Sequence, residues 1–452
     1  MQPAGHQSAS LSRRGFLGGT LGLAAAAVTG CGAAVRSDPF AGQSTRMPRH
    51  KVELAWMSQE LPRNAGGDCR FQLADAFTRE YPNVSIQLIQ VPDETDVRRT
   101  ALTAQIASGS QVPDVYLGDV VWPAQFADNA LAAPLGRWED DRRFWSDFPP
   151  AVVRSLRYRG NMWAYPVYLD EAFLYYRADL LENAGVPPPA TWEELADIGE
   201  RLVREGTVRY GFVWQADASE TLTCNVNEFV ADAGGAFLDA SGTRVMAGSA
   251  NTRRAVSFMT ELVRREVSPR AVSTFAEDEA SAAFLGGQAA FMRNWSYAWG
   301  EANDPELSQV AGRVGVVPRP VFAGSGRERL STLGGWHAFV NPHSVQPGAA
   351  LTFARWLAGP TAQRILATQT SYTPARTSVL LSDEVAGQDN PTFRLAADTT
   401  FVNPPTSAYY PQISKAIYTH VNPLIASGGG DVDAAVTGMA DRMQQAKDGL
   451  AL

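Results

Sequence analysis

Motifs for catalysis and metal binding are missing from this chain, and the residue types that build them are scarce. Three cysteines in 452 residues rule out a disulfide-stapled scaffold. Cys31 ends an N-terminal apolar run, so only Cys69 and Cys224 remain, either as a bonded pair or as two buried thiols. Among five histidines, His337 and His343 form the one near pair, with no cysteine or acidic framework around it of the kind zinc requires. Lysine occurs only at 51, 415 and 447, and no G-x-S-x-G, H-E-x-x-H, Walker A or G-x-G-x-x-G motif follows the N-terminal segment. No cofactor or metal is expected. A net charge of −8 argues against a nucleic-acid partner and leaves neutral ligands open.

Residues 1–31 read as an export address. Ser12-Arg13-Arg14-Gly15-Phe16-Leu17 is a twin-arginine signature, and the apolar run Phe16 to Val28 is too short to span a bilayer but suits a signal peptide. Val28-Thr29-Gly30-Cys31 is similar to the bacterial lipobox, which makes Cys31 the expected lipidated first residue of the mature chain. Residues 32–50 are small, polar and proline-punctuated, as in a flexible tether. The expectation is a body of about 400 residues, enough for two cores, anchored to the outer face of the cell membrane.

From Lys51 strands and helices alternate. Val52 to Trp56, Val84 to Val91 and Val115 to Leu117 read as strands, separated by helices over Cys69 to Glu80 and Thr95 to Ala107. Such alternation predicts a parallel or mixed sheet covered by helices, with ligands beyond the carboxyl ends of the strands. Asp119 falls just past such an end, where it can enter a cleft or cap the helix expected from Val120. Thr191 and Glu194 form a capping box opening a helix through Val203. Val314 to Pro318 reads as a return strand to the first lobe, and Pro411 to Val421 and Val432 to Lys447 as closing helices on the second.

The segment YPVYLDEAFLYYRAD, Tyr165 to Asp179, changes character halfway and reads as a crossing between two lobes. Alternation puts Tyr168 and Asp170 on one side of an extended chain, while Phe173 to Tyr176 is apolar enough for burial. A ring beside a carboxylate suits a sugar, because the ring covers a C–H face and the oxygens accept hydroxyl protons. A core strand with solvated ends fits the same residues. Trp295 and Tyr297 can point one way from an extended backbone or fill an aromatic corner. Gly334-Gly335-Trp336 joins residues that allow close backbone approach to a flat ring, or forms a tight turn with a core tryptophan. Arg376 brings a guanidinium toward the cleft or pairs with a surface acid. Asp119 and Asp170 also leave open the carboxylate pair of a glycosidase.

The segments LGDVVWPAQF, WAYPVYLDEAFLYYRADLLEN, GFVWQ, FMRNWSYAWG, STLGGWH and AYYPQIS are similar, in the same order, to segments of the trehalose/maltose-binding proteins of ATP-driven sugar importers. These belong to the family 1 extracellular solute-binding proteins, and the resemblance runs from Lys51 to Lys447. It implies an α/β, two-lobed periplasmic-binding-protein-like fold of type II whose hinge has three crossovers. One lobe would comprise 51–168 plus 315–372, the other 169–314 plus 373–452. The implied role is capture, without turnover, of an α-glucoside disaccharide such as trehalose or maltose, or a short oligosaccharide, by a monomer that docks on an ABC permease with its cytoplasmic ATPase; the same fold binding a different oligosaccharide is the alternative. Asp119, Asp170 and Arg376 would bond hydroxyls; Tyr168, Trp295, Tyr297 and Trp336 would stack or line the site; Gly335 would offer backbone. Arg98 or Arg99 matches a basic position, and Asp68, with Glu60 behind it, is nearest to the family's acid by the first helix.

Overall fold

A computed structural model describes residues 38–449 apart from 65, 93, 240–241 and 329. The export signal and Cys31 lie outside the described residues. The first third of the fold contains β1 (Val52–Met57), α1 (Cys69–Glu80), β2 (Val84–Ile89), α2 (Thr95–Ala107) and β3 (Val115–Asp119). β1 pairs in parallel with both β2 and β3, as helical crossovers require. Leu73 and Phe77 of α1 and Leu102 and Ile106 of α2 are buried, whereas Phe71, which the sequence spacing puts on the apolar face of α1 with Ala74 and Phe77, is 63% exposed because the buried face runs through Cys69, Leu73 and Phe77.

The strand β4 (Tyr165–Arg177) is thirteen residues long and buried along nearly its whole length. At about 3.3 Å per residue it reaches roughly 40 Å, enough to serve two cores. Beyond it lie α3 (Trp192–Arg204), β5 (Tyr210–Val213), α4 (Glu220–Asp232), β6 (Ala289–Trp295), α5 (Ala298–Asn303) and β7 (Val314–Pro318). The Thr191–Glu194 capping box opens α3 as expected. The chain continues through β8 (Leu330–Val340), α6 (Pro347–Leu357), α7 (Pro360–Gln369), α8 (Tyr410–Ser427) and α9 (Val432–Lys447). The mixed sheet has the order β2-β1-β3-β8-β4-β6-β5.

Two large apolar cores flank this sheet. The first gathers Trp56, Phe77, Tyr116, Phe126, Tyr165, Phe339 and Phe353; the second gathers Trp192, Phe212, Trp214, Phe229, Ile417 and Met439. β4 changes both partner and core midway. Tyr165 to Glu171 pair with β8, and Ala172 to Arg177 pair with β6 and β7. Tyr168 and Leu169 belong to the first core and Leu174 to the second.

Three expected boundaries move. Phe40 is buried in the first core, 5.4 Å from the Trp138 ring, so residues from 39 onward are part of the body and not of a tether. β7 pairs with the second half of β4, and Phe322 packs in the second core, so the return to the first core comes with β8 and not at 315. At the other crossing, Thr373 and Pro374 pair with Leu169 and Tyr168, Ala375 joins the first core, and Val379, Leu380, Val385 and Phe393 pack on Ala367 of α7. The chain therefore stays on the first-core side past 373 and joins the second core through α8. Cys69 and Cys224 are both free thiols, so no disulfide joins them.

A buried polar network runs beneath the second core's edge of the sheet. Arg293 of β6 pairs through two nitrogens with Glu228 of α4, and both side chains are 1% exposed. Arg319 bonds Asp232 at 2.7 Å, and Trp192 donates to the same carboxylate at 3.1 Å. Removing one member leaves an opposite charge buried and uncompensated, which outweighs the loss of the contact itself. Glu228→Ala is therefore expected to lower unfolding free energy by about 3–5 kcal/mol, read as a reduced midpoint in urea denaturation.

Candidate functional site

The meeting of β3, β8 and β4 places the site. Trp336 of β8 lies in register with Asp119 at the end of β3 on one side and with Tyr168 of β4 on the other. Asp119 is thus the last strand residue, and its carboxylate accepts from the Val121 N–H at 3.1 Å, closing the turn that follows. Gly335 has φ +135°, and a Cβ there would stand 2.5 Å from the Tyr168 carbonyl oxygen. At Gly334 a Cβ would stand 2.4 Å from the Asp170 carbonyl and 3.0 Å from the Trp295 ring. The glycine pair lets β8 press against the crossing strand at the point where that strand changes partner.

On the first-core side, the Tyr168 ring lies 4.2 Å from that of Tyr372, which in turn lies 6.1 Å from Tyr297. Gln59 donates to the Tyr168 hydroxyl at 2.8 Å and accepts from Arg98 at 2.6 Å. The Arg98 guanidinium sits 4.1 Å from the Trp336 ring centroid. A second tryptophan is backed in the same way: Arg293 lies 3.9 Å from the Trp295 ring, whose Nε1 donates to Glu277 at 3.1 Å. Each guanidinium holds a ring by cation–π attraction. Asp170 accepts from the Ser296 N–H at 3.1 Å and from its hydroxyl at 2.8 Å, tying β4 to the turn between Trp295 and Tyr297.

The carboxyl groups sit in a low-dielectric setting. Burial raises Asp170 well above the ordinary aspartate value, against the pull of the Ser296 hydroxyl. Burial likewise raises Asp119 to about 6, opposed by the Val121 N–H and by Arg98. Glu220, the first residue of α4, accepts from Tyr410 at 2.5 Å and from Ser414 at 2.6 Å. It is pushed up to about 8, by burial first and by the Asp119 carboxyl second. Asp119 therefore lies within electrostatic reach of Glu220, and a carboxyl that keeps its proton can donate as well as accept hydrogen bonds.

Asp119, Tyr168, Asp170, Trp295, Tyr297, Gly335, Trp336 and Arg98 belong to this one seam; four other candidates have different work. Arg376 donates to Asp147 at 2.6 Å and to the Ala358 carbonyl at 2.5 Å, and lies 4.9 and 4.8 Å from the Phe144 and Phe148 rings. It is a first-core brace, and the pairing with an acid prevails over a cleft role. Asp68 caps α1, accepting from the Arg70 N–H at 3.0 Å, from Arg70 Nε at 2.7 Å and from the Leu61 N–H at 3.2 Å. Glu60 is solvent-facing, 3.9 Å from Arg70. Arg99 pairs with Asp96 one turn away. Gln59, Glu220, Glu277 and Tyr372 were not anticipated. Tyr372 had a signal, an aromatic beside Thr373-Pro374 at the crossing; Glu220 had only its place after the cap Ser219.

A profile of the bacterial extracellular solute-binding protein family matches residues 72–364. A probable ABC transporter-binding protein of Deinococcus radiodurans is 35% identical over 67% of this chain and 71% of its own. A mannitol-binding protein of Pseudomonas aeruginosa is 26% identical over 63% of this chain and 64% of its own. Among solved structures, maltose-bound MalE3 of T. maritima aligns with a TM-score of 0.79 and 30% identity, covering 87% of this chain and 99% of that one. The mixed α/β architecture is the periplasmic-binding-protein fold of these MalE-like structures. The chain belongs to the bacterial extracellular solute-binding protein family. It is the solute-binding component of an ABC importer, and such proteins bind without catalysing.

The raised Glu220 value has a testable sign. The folded state holds its proton between the ordinary 4.5 and about 8, where the unfolded chain does not, so stability falls as pH rises through that window. Glu220→Gln is expected to flatten the decline in melting temperature across it. A slope equal to that of the wild type would remove Glu220 from the account.

Proposed function

We propose that this chain captures an α-glucoside disaccharide, trehalose or maltose-like, between its two cores and delivers it to a membrane permease. The observation that carries the reading is the seam itself: Trp336, Tyr168, Tyr297 and Trp295 surround Asp119 and Asp170 where β4 and β8 pass from one core to the other. Rings cover the apolar faces of a sugar, while buried carboxyls that both donate and accept match its hydroxyls. Arg98 and Arg99 both act on Asp119, and the acids Asp170, Glu220 and Glu277 stand in the same seam, an excess of acid that disfavours an anionic ligand. The 30% identity to a maltose-bound structure supports the same class.

Several contacts are needed. A hydrogen bond to a charged group nets about 1.5–3 kcal/mol and a neutral one about 0.5–1.5, against about 8 kcal/mol for micromolar affinity. Closure of the cores about β4 and β8 excludes water and creates a liganded shape that a permease with its cytoplasmic ATPase can distinguish from the open one. The twin arginines and Cys31 lie outside the described residues and support export followed by lipid anchoring at the outer face of the membrane, with the body acting as a monomer.

The test is a thermal-shift screen of residues 32–452 with trehalose, maltose, sucrose, maltotriose and mannitol, followed by calorimetry. An α-glucoside that binds only the folded state raises its melting temperature. Trp336→Ala is expected to weaken that sugar by at least about tenfold, or roughly 1.4 kcal/mol. Stabilisation by mannitol alone would overturn the α-glucoside assignment and favour a polyol.

A further inference from the structure

The end of the first core opposite the candidate site has a composition of its own. β1 and β3 run parallel and β8 runs against β3, with Val340 in register with Val115. The segments that enter β1 and β3 and the one that leaves β8 therefore meet at one end of the sheet. The site lies at the other end, where Asp119 closes β3 and Gln59 follows β1. At about 3.3 Å per residue, β1 alone holds the two ends roughly 20 Å apart. Side chains tie the three segments together. Asn341 donates to the Ser110 carbonyl at 2.9 Å and to the Pro113 carbonyl at 2.7 Å, and the Ser344 hydroxyl donates to Asp114 at 2.5 Å. Met47 packs against the first core, and the Arg46 carbonyl lies so close to Gly348 that it leaves no room for a Cβ there.

This end is basic in an acidic protein. Arg46, Arg49, His50 and Lys51 are all exposed, and Arg46, Arg49 and Lys51 have no ion-pair partner among the described residues. Residues 42–52, 108–113 and 341–348 contain no acid, in a chain of net charge −8. Asp114, next to the second segment, is buried and bonded to the Ala55 N–H and Ser344, which leaves Glu53 as the exposed acid closest along the chain. Among these cations stand His343 and two exposed valines, Val112 at 44% and Val345 at 52%. The chain also enters the body here. Phe40 lies against Trp138, and Ala133, five residues before Trp138, donates to the Val340 carbonyl at the end of β8. The compact body begins at Pro39, eight residues after Cys31, a stretch that spans at most about 29 Å.

We propose that this end of the first core is a membrane-facing surface that binds anionic phospholipid headgroups and directs the sugar site away from the bilayer. Unpaired guanidinium and ammonium groups meet lipid phosphates, and valines among them reach the apolar boundary beneath. The biological setting rests on the lipidation of Cys31 proposed above; the affinity of the surface itself does not. Each basic side chain near an anionic surface raises partitioning about fivefold, so Arg46, Arg49 and Lys51 together supply roughly a hundredfold. The acidic remainder of the body is repelled by the same lipids, which makes the attachment directional.

The test is co-sedimentation of the unacylated chain from residue 32 with vesicles of phosphatidylglycerol or of phosphatidylcholine. The wild type should favour phosphatidylglycerol by at least about tenfold at low salt and lose that preference as ionic strength rises. The combined Arg46→Gln, Arg49→Gln and Lys51→Gln variant should lose the preference and melt as the wild type does. A control of equal charge, Arg204→Gln, Arg264→Gln and Arg442→Gln on exposed positions of the second core's helices, should keep it. Equal binding of the wild type to both lipids overturns the surface, and this comparison needs no variant to fold. An equal loss in the control also overturns it, because net charge alone would then explain the binding. An unacylated Cys31 in the native protein, read by mass spectrometry beside intact vesicle binding, overturns the anchor and leaves the surface standing.

Discussion

Everything in this molecule depends on one strand pairing with two sets of partners. β4 leaves the first core after Leu169, enters the second by Leu174, and exchanges β8 for β6 and β7 in between. Tyr168 stays with the first core while Asp170, two residues on, bonds Ser296 beside the second half of the strand, so the exchange point is walled from both sides. The glycine pair at 334 and 335 is a condition of this arrangement, because any side chain there would collide with the carbonyls of Asp170 or Tyr168. The seam is thus built by backbone sterics first and by polar groups second.

Its electrostatics follow from the same enclosure. Carboxyls at Asp119, Asp170 and Glu220 sit where ionisation is disfavoured, and their hydrogen-bonding neighbours only partly restore it. The two guanidiniums nearest the tryptophans are committed beneath rings, Arg98 under Trp336 and Arg293 under Trp295. Arg293 is itself held by the buried Glu228, so a network deep in the second core fixes the orientation of a ring at the seam. The seam is therefore lined by aromatic rings and by carboxyls whose ionisation burial disfavours.

Relatives that bind different small molecules share this scaffold, which is expected when affinity comes from a few side chains on a common frame.

Much of this was legible without coordinates. Alternation in YPVYLDEAFLYYRAD announced a buried strand with Tyr168 and Asp170 on one side, helical spacing placed α1 and α2, and the Thr191–Glu194 pair marked the start of α3. These are local properties, set by which side chains lie two, three or four residues apart. The sequence by itself determined the element types, the family and the aromatic candidates. Tertiary structure alone decided that Arg376 is spent on Asp147 and Asp68 on α1, that Phe40 anchors the leading segment, and that Glu220 takes its bonds from Tyr410 and Ser414. A guanidinium or carboxylate takes whichever partner the fold brings within reach, and that partner is often hundreds of residues away, where no local pattern records it.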